Sequence, residues 1–327
     1  MNFKPCLTQT LSASCANSSP LEHGFLQISG CQIRRFFWIA IALTSMSCSK
    51  ITPSNSRATS TQSSEPVALK IVVQPTQNRS EQERMIAPLK AHLEKVLGQP
   101  VDFVVAKDYE DSVNVLVAGQ ANAAYMGGVS YFEALERGAK VKPLVAPIDR
   151  YTIRPWYRAC ILVPAKSPIK TLADLKNKRV AFVNPSSTSG YLKPLAALRE
   201  QGIQPERDFA AVIFGDTHDR MAAMLGEKAD AIATNLATYT RWKQQGKLSA
   251  QPVRIIWQSE PVPHSPVLIS ETLPPELVEK LKEAFLTTPQ GIQDLMGAET
   301  IGYTLVEAED YEAVQDLRQK LNLTKEP

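Results

Sequence analysis

Little in this chain of 327 residues points to chemistry done by thiols, metals or phosphate loops. It has five cysteines, and four of them, Cys6, Cys15, Cys31 and Cys48, fall within the first fifty residues. Beyond them stands only Cys160, inside the apolar run ACILV, where a thiol reads as a core residue. That excludes a disulfide framework in the body, and the cysteines have no zinc-ligand spacing. No G-x-S-x-G, H-E-x-x-H or Walker loop occurs. Ser167, Pro168, Ile169 and Lys170 have the S-x-x-K spacing of penicillin-recognising enzymes, but S-D-N and K-T-G are missing and a proline breaks the segment. Charge of one sign is scarce as well. A net charge of +3, with no basic run interleaved with aromatics, argues against a nucleic-acid face.

What is present begins with a segment unlike the rest. Arg34 and Arg35 precede the apolar run FFWIAIAL, Phe36 to Leu43, and then the small residues of TSMSCSK. That is the order of a secretory signal, and the run is too short to span a membrane. The paired arginines before Phe36 and Phe37 bear a faint likeness to a twin-arginine signal. Cys48 is the expected lipid-attachment residue, although Ser45 stands where a lipobox usually has leucine; simple cleavage nearby is the alternative. Residues 1–33 lie upstream of a normal signal, as an over-extended start or a cytoplasmic tail. Residues 49–66, rich in Ser and Thr, read as a polar tether. The expectation is an exported protein, held at the membrane through Cys48.

From Val67 short apolar runs alternate with amphipathic stretches, the signature of sheets flanked by helices. Strands are expected at 68–74, 100–106, 121–128, 157–165, 179–183, 210–215, 229–235 and 253–259, the last returning toward the first unit with Trp257 in core or hinge. Helices are expected at 80–98, with a capping box from Ser80 to Glu83, and at 111–119, 171–177, 191–202, 218–227 and 273–286. A strand-like GYTLV precedes a closing charged helix. The fold class is α/β with parallel sheets in two lobes: lobe 1 from 67–156 plus 258–327, lobe 2 from 157–257. In such sheets ligands sit beyond the carboxyl ends of the strands. Those ends, QPTQN, AKDY, YMGG, NPSSTSG, FGDTHD and ATNLATY, are rich in Tyr, Asn, Ser and Thr and poor in carboxylates. That suits an oxyanion.

The stretch NPSSTSGYLKP, Asn184 to Pro194, lies between a strand and a helix. The first amides of a helix have no internal acceptors and carry partial positive charge, so such a turn can cradle an anion. Ser187, Thr188 and Ser189 would add hydroxyl donors, and Gly190 would let the ligand approach the backbone. An ordinary helix cap is the plain alternative.

LADLKNKRVAFVNPSSTSGYLKP, FGDTHDRMAAMLGEKADAIATN, PVPHSPVLI and the closing GYTLVEAEDYEAVQDL resemble the phosphonate- and phosphite-binding periplasmic proteins of bacterial ABC importers, over about Ala68 to Leu321. The resemblance implies a type II solute-binding, Venus-flytrap fold with a hinge of two crossover strands. It implies a small tetrahedral oxyanion as ligand, an ABC permease in the membrane as partner, and a periplasmic location. Within it, Ser187, Thr188 and Ser189 match the residues that hold the phosphonate oxygens, and His218 matches the histidine that completes the oxyanion site. Tyr109 fits the ligand-facing aromatic of the first lobe, and Tyr157, beside Trp156, lies near a second. Aminoalkylphosphonate binders of the family carry carboxylates for the ligand's ammonium. Here Thr238 stands in one such place, and His264 and Ser265 in the other; His264 is itself a candidate ligand contact, with a rigid hinge-side loop as the alternative. An ammonium without a carboxylate would be poorly compensated in a closed cleft. The sequence therefore favours phosphite or methylphosphonate over 2-aminoethylphosphonate, with phosphate, a sulfonate or a sensor role as alternatives.

The remaining residues read plainly. Tyr125 and Tyr131 are expected in packing and His92 on a helix surface. A hydrolase would need a serine of the STSG turn, His218 as base and Asp216 or Asp219 to orient it. Nothing but proximity supports that, so no enzyme is expected. Nor is a cofactor, a metal or nucleic acid, and the chain is expected to act as a monomer.

Overall fold

The structure, a computed structural model, describes residues 68–150, 152–248, 252–294 and 296–324, all within one compact unit of the chain. The signal-like segment, Cys48 and the tether lie outside the described residues.

From β1 (Leu69–Val73) the chain runs through α1 (Arg79–Leu97), β2 (Val101–Val105), α2 (Tyr109–Val117), β3 (Ala123–Tyr125), α3 (Gly128–Glu136) and β4 (Val141–Asp149). It crosses over at β5 (Trp156–Tyr157). Then follow β6 (Ala159–Pro164), β7 (Arg179–Phe182), α4 (Lys193–Glu200), α5 (Pro205–Asp208), β8 (Ala211–Phe214), α6 (His218–Met224), β9 (Ala231–Asn235), α7 (Leu236–Gln244) and β10 (Val253–Gln258). It returns at β11 (Val262–Pro263) and continues through β12 (Val267–Ser270), α8 (Pro275–Leu286), β13 (Thr300–Leu305) and α9 (Glu312–Lys320).

Two sheets result. The first has the order β13-β4-β12-β3-β1-β2, the second β10-β6-β9-β7-β8, and β5 pairs with β11 between them. Apolar strands buried on both faces make each lobe's core, and Cys160 sits fully buried in the second. The sheets are mixed rather than purely parallel. β1, β2 and β3 run parallel, as do β7, β8 and β9, but β12, β13, β6 and β10 pair antiparallel. Val253–Gln258, read in the sequence as the returning strand, pairs with β6 as an edge of the second sheet, which places Trp257 there. The return is made by the two residues of β11, opposite Trp156 and Tyr157.

Local chemistry moved several boundaries. The Asn78 carboxamide accepts from the Glu81 N–H at 2.9 Å and caps α1, displacing the expected box at Ser80, whose own hydroxyl donates to Asn78. The stretch 171–177 closes only a 3-10 turn, Ala173–Leu175. Helices α3 and α7 were not expected; α7 starts where the Asn235 side chain accepts from the Thr238 N–H at 2.8 Å. His92 is half-buried and does more than face solvent. Its Nε2 lies 2.8 Å from the Ala284 carbonyl of α8, joining two helices on one face of the first sheet.

The lobes touch along a closed seam. The Val129 N–H donates to Thr188 Oγ1 (3.2 Å), Ser130 Oγ to the Ser186 carbonyl (3.3 Å) and the Asp219 N–H to the Thr76 carbonyl (3.1 Å).

Candidate functional site

A cavity of about 330 Å³ of empty space, its open mouth included, lies at this seam. Residues Ser187, Thr188 and Ser189 of the second lobe form one wall. They open the helix that leads into α4, and they do so in a π turn, Thr188–Leu192. The Ser187 carbonyl accepts from both Tyr191 N–H (3.1 Å) and Leu192 N–H (3.0 Å). A π turn rotates less per residue than an α turn, so three successive side chains can share one side. Ser187 is the cap: its Oγ accepts from the Gly190 N–H at 3.0 Å. No acceptor among the described residues takes the N–H of Thr188 or of Ser189.

Gly190 serves differently from the expectation. Its amide is used by Ser187, and it does not line the cavity. A Cβ there would lie 2.4 Å from Val183 Cγ2 and 2.8 Å from Ser187 Oγ, so glycine lets the turn pack on β7's continuation.

Tyr109, the first residue of α2, and Tyr157, the last of β5, line the cavity beside these hydroxyls. Burial pushes the Tyr109 phenol above its ordinary value, with the Ser187 hydroxyl partly offsetting. Burial pushes Tyr157 up to about 12 against hydrogen bonding from Ser189 and Thr188. Both are firm O–H donors at neutral pH.

His218 opens α6 and also lines the cavity. Its Nδ1 lies 2.9 Å from Thr234 Oγ1, which leaves Nε2 for the cavity. Burial, then the nearby Arg241 guanidinium, push its pKa down to about 3, so the ring is neutral. If Thr234 donates to Nδ1, Nε2 carries the proton and donates to a ligand oxygen. In the other tautomer it accepts from a protonated one.

The first-lobe wall was mostly missed in the sequence. It holds Gln74, Thr76, Tyr125, Met126, Ser265 and Met296. Gln74 is internally satisfied, donating to Ser130 Oγ (2.6 Å) and accepting from the Gly127 N–H (3.0 Å). By contrast, Thr76 Oγ1 and the Tyr125 hydroxyl are buried with no hydrogen-bond partner among the described residues. Tyr125 is thus a cavity residue and not only packing; Tyr131 does pack, against Phe132 and Tyr311. Thr76 and Tyr125 follow directly on β1 and end β3, at strand ends already marked as ligand-facing. Ser265 and Met296 arrive from beyond the return crossing; Ser265 lies at the place where the family resemblance puts a second carboxylate, and Met296 had no local signal.

His264 does not line the cavity. It sits behind Tyr157, ring centroids 5.2 Å apart, with Nε2 3.4 Å from Asp294 Oδ2. Burial lowers its pKa, against the pull of Asp294 and Asp149, and burial raises that of Asp294. None of the lining residues is Asp, Glu, Lys or Arg. Thr238 is buried and donates its N–H to Asn235, away from the cavity wall.

Neutral donors thus converge on a small space without a carboxylate. The family model described as "ABC transporter, phosphonate, periplasmic substrate-binding protein" matches residues 71–311. The chain belongs to this family. It is accordingly the substrate-binding component of an ABC transporter, with the two-lobed fold of such proteins. It is 32% identical over 254 residues to the phosphate-import protein PhnD of Mycolicibacterium smegmatis, covering 75% of this chain and 78% of that one. It is 24% identical over 264 residues to the phosphonates-binding periplasmic protein of Escherichia coli, covering 79% and 77%. Among solved structures, the binding component of a phosphonate ABC transporter from Pseudomonas aeruginosa superposes with a TM-score of 0.70 at 18% identity, covering 79% of this chain and 87% of that one. PhnD1 of Prochlorococcus marinus, solved in complex with methylphosphonate, gives 0.70 at 20% identity, covering 78% and 98%. In this substrate-binding protein, then, the STSG turn, His218, Tyr109 and Tyr157 meet in one cavity, and His264 and Gly190 stand behind it.

Proposed function

We propose that the protein binds a small tetrahedral oxyanion of the phosphite or methylphosphonate kind by closing its lobes, 67–156 with 258–327 and 157–257, around it. The observation that carries this is a surplus of donors at the cavity. The Thr188 and Ser189 amides, Thr76 Oγ1 and the Tyr125 hydroxyl all lack partners among the described residues. Buried donors without acceptors are costly, about 1–3 kcal/mol each, and an oxyanion supplies acceptors to several at once. Ser187, Thr188, Ser189, Tyr109, Tyr157 and His218 complete the shell. Water is excluded, so fixed N–H and O–H groups take over the ligand's hydration, with no catalytic step.

The protein would present this ligand to a membrane permease from the periplasm as a monomer, exported by the signal-like segment and anchored through Cys48. An aminoalkyl substituent would find no carboxylate on the cavity wall. Phosphate is the second reading. The orphaned hydroxyls of Thr76 and Tyr125 could serve a fourth oxygen, and the 32% identical relative carries the name of a phosphate importer.

Calorimetric titration of ligand-stripped protein with phosphite, methylphosphonate, 2-aminoethylphosphonate, phosphate and sulfate tests both. The first reading expects phosphite or methylphosphonate to bind tightest and aminoethylphosphonate weakly. Tightest binding of phosphate would select the second, and silence across the panel would sink both.

A further inference from the structure

We infer that Met296 is a rigid gauge that sets how large a non-oxygen substituent the site admits. This rests on the oxyanion reading above. The cavity wall is made of hydroxyls, amides, an imidazole and tyrosine rings, with the thioether of Met296, beside Ser265, on the first-lobe side. A tetrahedral anion turns its oxygens to donors. An oxygen pressed on a thioether would lose hydration without replacement, so the fourth position, P–H or P–CH3, belongs against Met296.

Methionine usually fits itself to whatever it meets, having three rotatable bonds. Met296 is held instead. Its N–H donates to Asp294 Oδ1 at 2.9 Å. Its carbonyl accepts from Gln77 Nε2 at 3.3 Å and from the Arg241 guanidinium. Its sulfur accepts from Ser265 Oγ at 3.7 Å, and the residue is only 6% exposed. The turn behind it is equally tight: Gly297 has φ 76°, and a Cβ there would lie 2.5 Å from Met85 Cε and 2.7 Å from Gln77 Nε2. Gln77 and Met85 belong to the first lobe and Arg241 to α7 of the second, so the gauge is fastened from both sides when the lobes meet. A substituent longer than methyl would have to push Met296 off Ser265 or hold the lobes apart.

The test is calorimetric titration of methyl-, ethyl- and propylphosphonate into the wild type, Met296→Ala and Ser265→Ala. In the wild type, affinity should fall about tenfold or more from methyl to propyl. Met296→Ala should shrink the methyl-to-propyl ratio by about tenfold. Ser265→Ala, which frees the sulfur without removing the side chain, should shrink it by a smaller factor. Equal wild-type affinity for methyl and propyl overturns the inference whatever the variants do, as does an unchanged ratio in Met296→Ala. Should Met296→Ala fail to fold, the wild-type series and Ser265→Ala decide, and an unchanged ratio in the latter overturns it. A wild type that binds no phosphonate, phosphite or phosphate fails the oxyanion reading itself. One that binds methylphosphonate with no length preference fails only the gauge.

Discussion

His218 and His264 each expose 2% of their surface, and burial lowers the basicity of both. Both stand at chain positions where a ligand-binding histidine is reasonable. Their settings part them. His218 opens a helix of the second lobe, anchors Nδ1 on Thr234 and turns its ring to the cavity. His264 follows the return crossing and turns Nε2 to Asp294; its N–H donates to the Pro155 carbonyl, and its carbonyl accepts from the Tyr311 hydroxyl. One imidazole faces the cavity and the other faces Asp294 beside the hinge. A buried histidine near a cleft is therefore placed by where its second nitrogen goes, not by its burial or its protonation.

Variants can break this contrast. The largest effect is expected for His218→Ala and for Thr188→Val, tested separately. Each removes a donor to a charged ligand, about 1.5–3 kcal/mol, or roughly ten- to hundredfold in Kd by calorimetry. A His264→Ala protein that lost as much affinity would erase the distinction. That variant should instead lose about 1–3 kcal/mol of stability in denaturant unfolding, because the buried Asp294 loses its imidazole neighbour.

Acid sharpens the comparison next. Each histidine is neutral in the fold but takes a proton in the unfolded chain below its ordinary value of 6.5. Stability is full above that pH and falls as pH drops, for His218 down to about 3. The slope is at most about 1.4 kcal/mol per pH unit for each ring. Asp294, with its raised pKa, works in the opposite sense and flattens the profile. His218→Asn should remove one ring's share, and an unchanged slope of unfolding midpoint against pH would show that His218 is not held neutral. The smallest effect is expected for Tyr157→Phe, which keeps the ring on His264 and removes one neutral hydroxyl. It should weaken binding by about 0.5–1.5 kcal/mol with stability little changed.

The two-lobed α/β fold was legible because each strand is a short apolar run and most helices show one apolar face. The sense of the added strands was not. β12 and β6 pair antiparallel through contacts far apart in sequence, and no local pattern tells a parallel buried strand from an antiparallel one. On the site, the STSG turn announced itself by hydroxyls at a helix start, and His218 by its place after a strand. Met296 gave no signal in the sequence, since what holds it, Arg241, Gln77 and Ser265, comes from three distant segments. Gly190 was misread because a glycine in a hydroxyl-rich turn suggests ligand approach, whereas here Val183 fills the space.

The paired crossings, β5 and β11, are only two residues long each. Two short antiparallel segments lying side by side can bend together about one line but resist swivelling about their own axes. Such a joint works like a door and not like a ball in a socket. Tyr157 is set in the door's hinge while facing the chamber it closes. On the proposed function, whatever fills the chamber would set a single angle between the lobes, and that angle would be what a membrane permease meets.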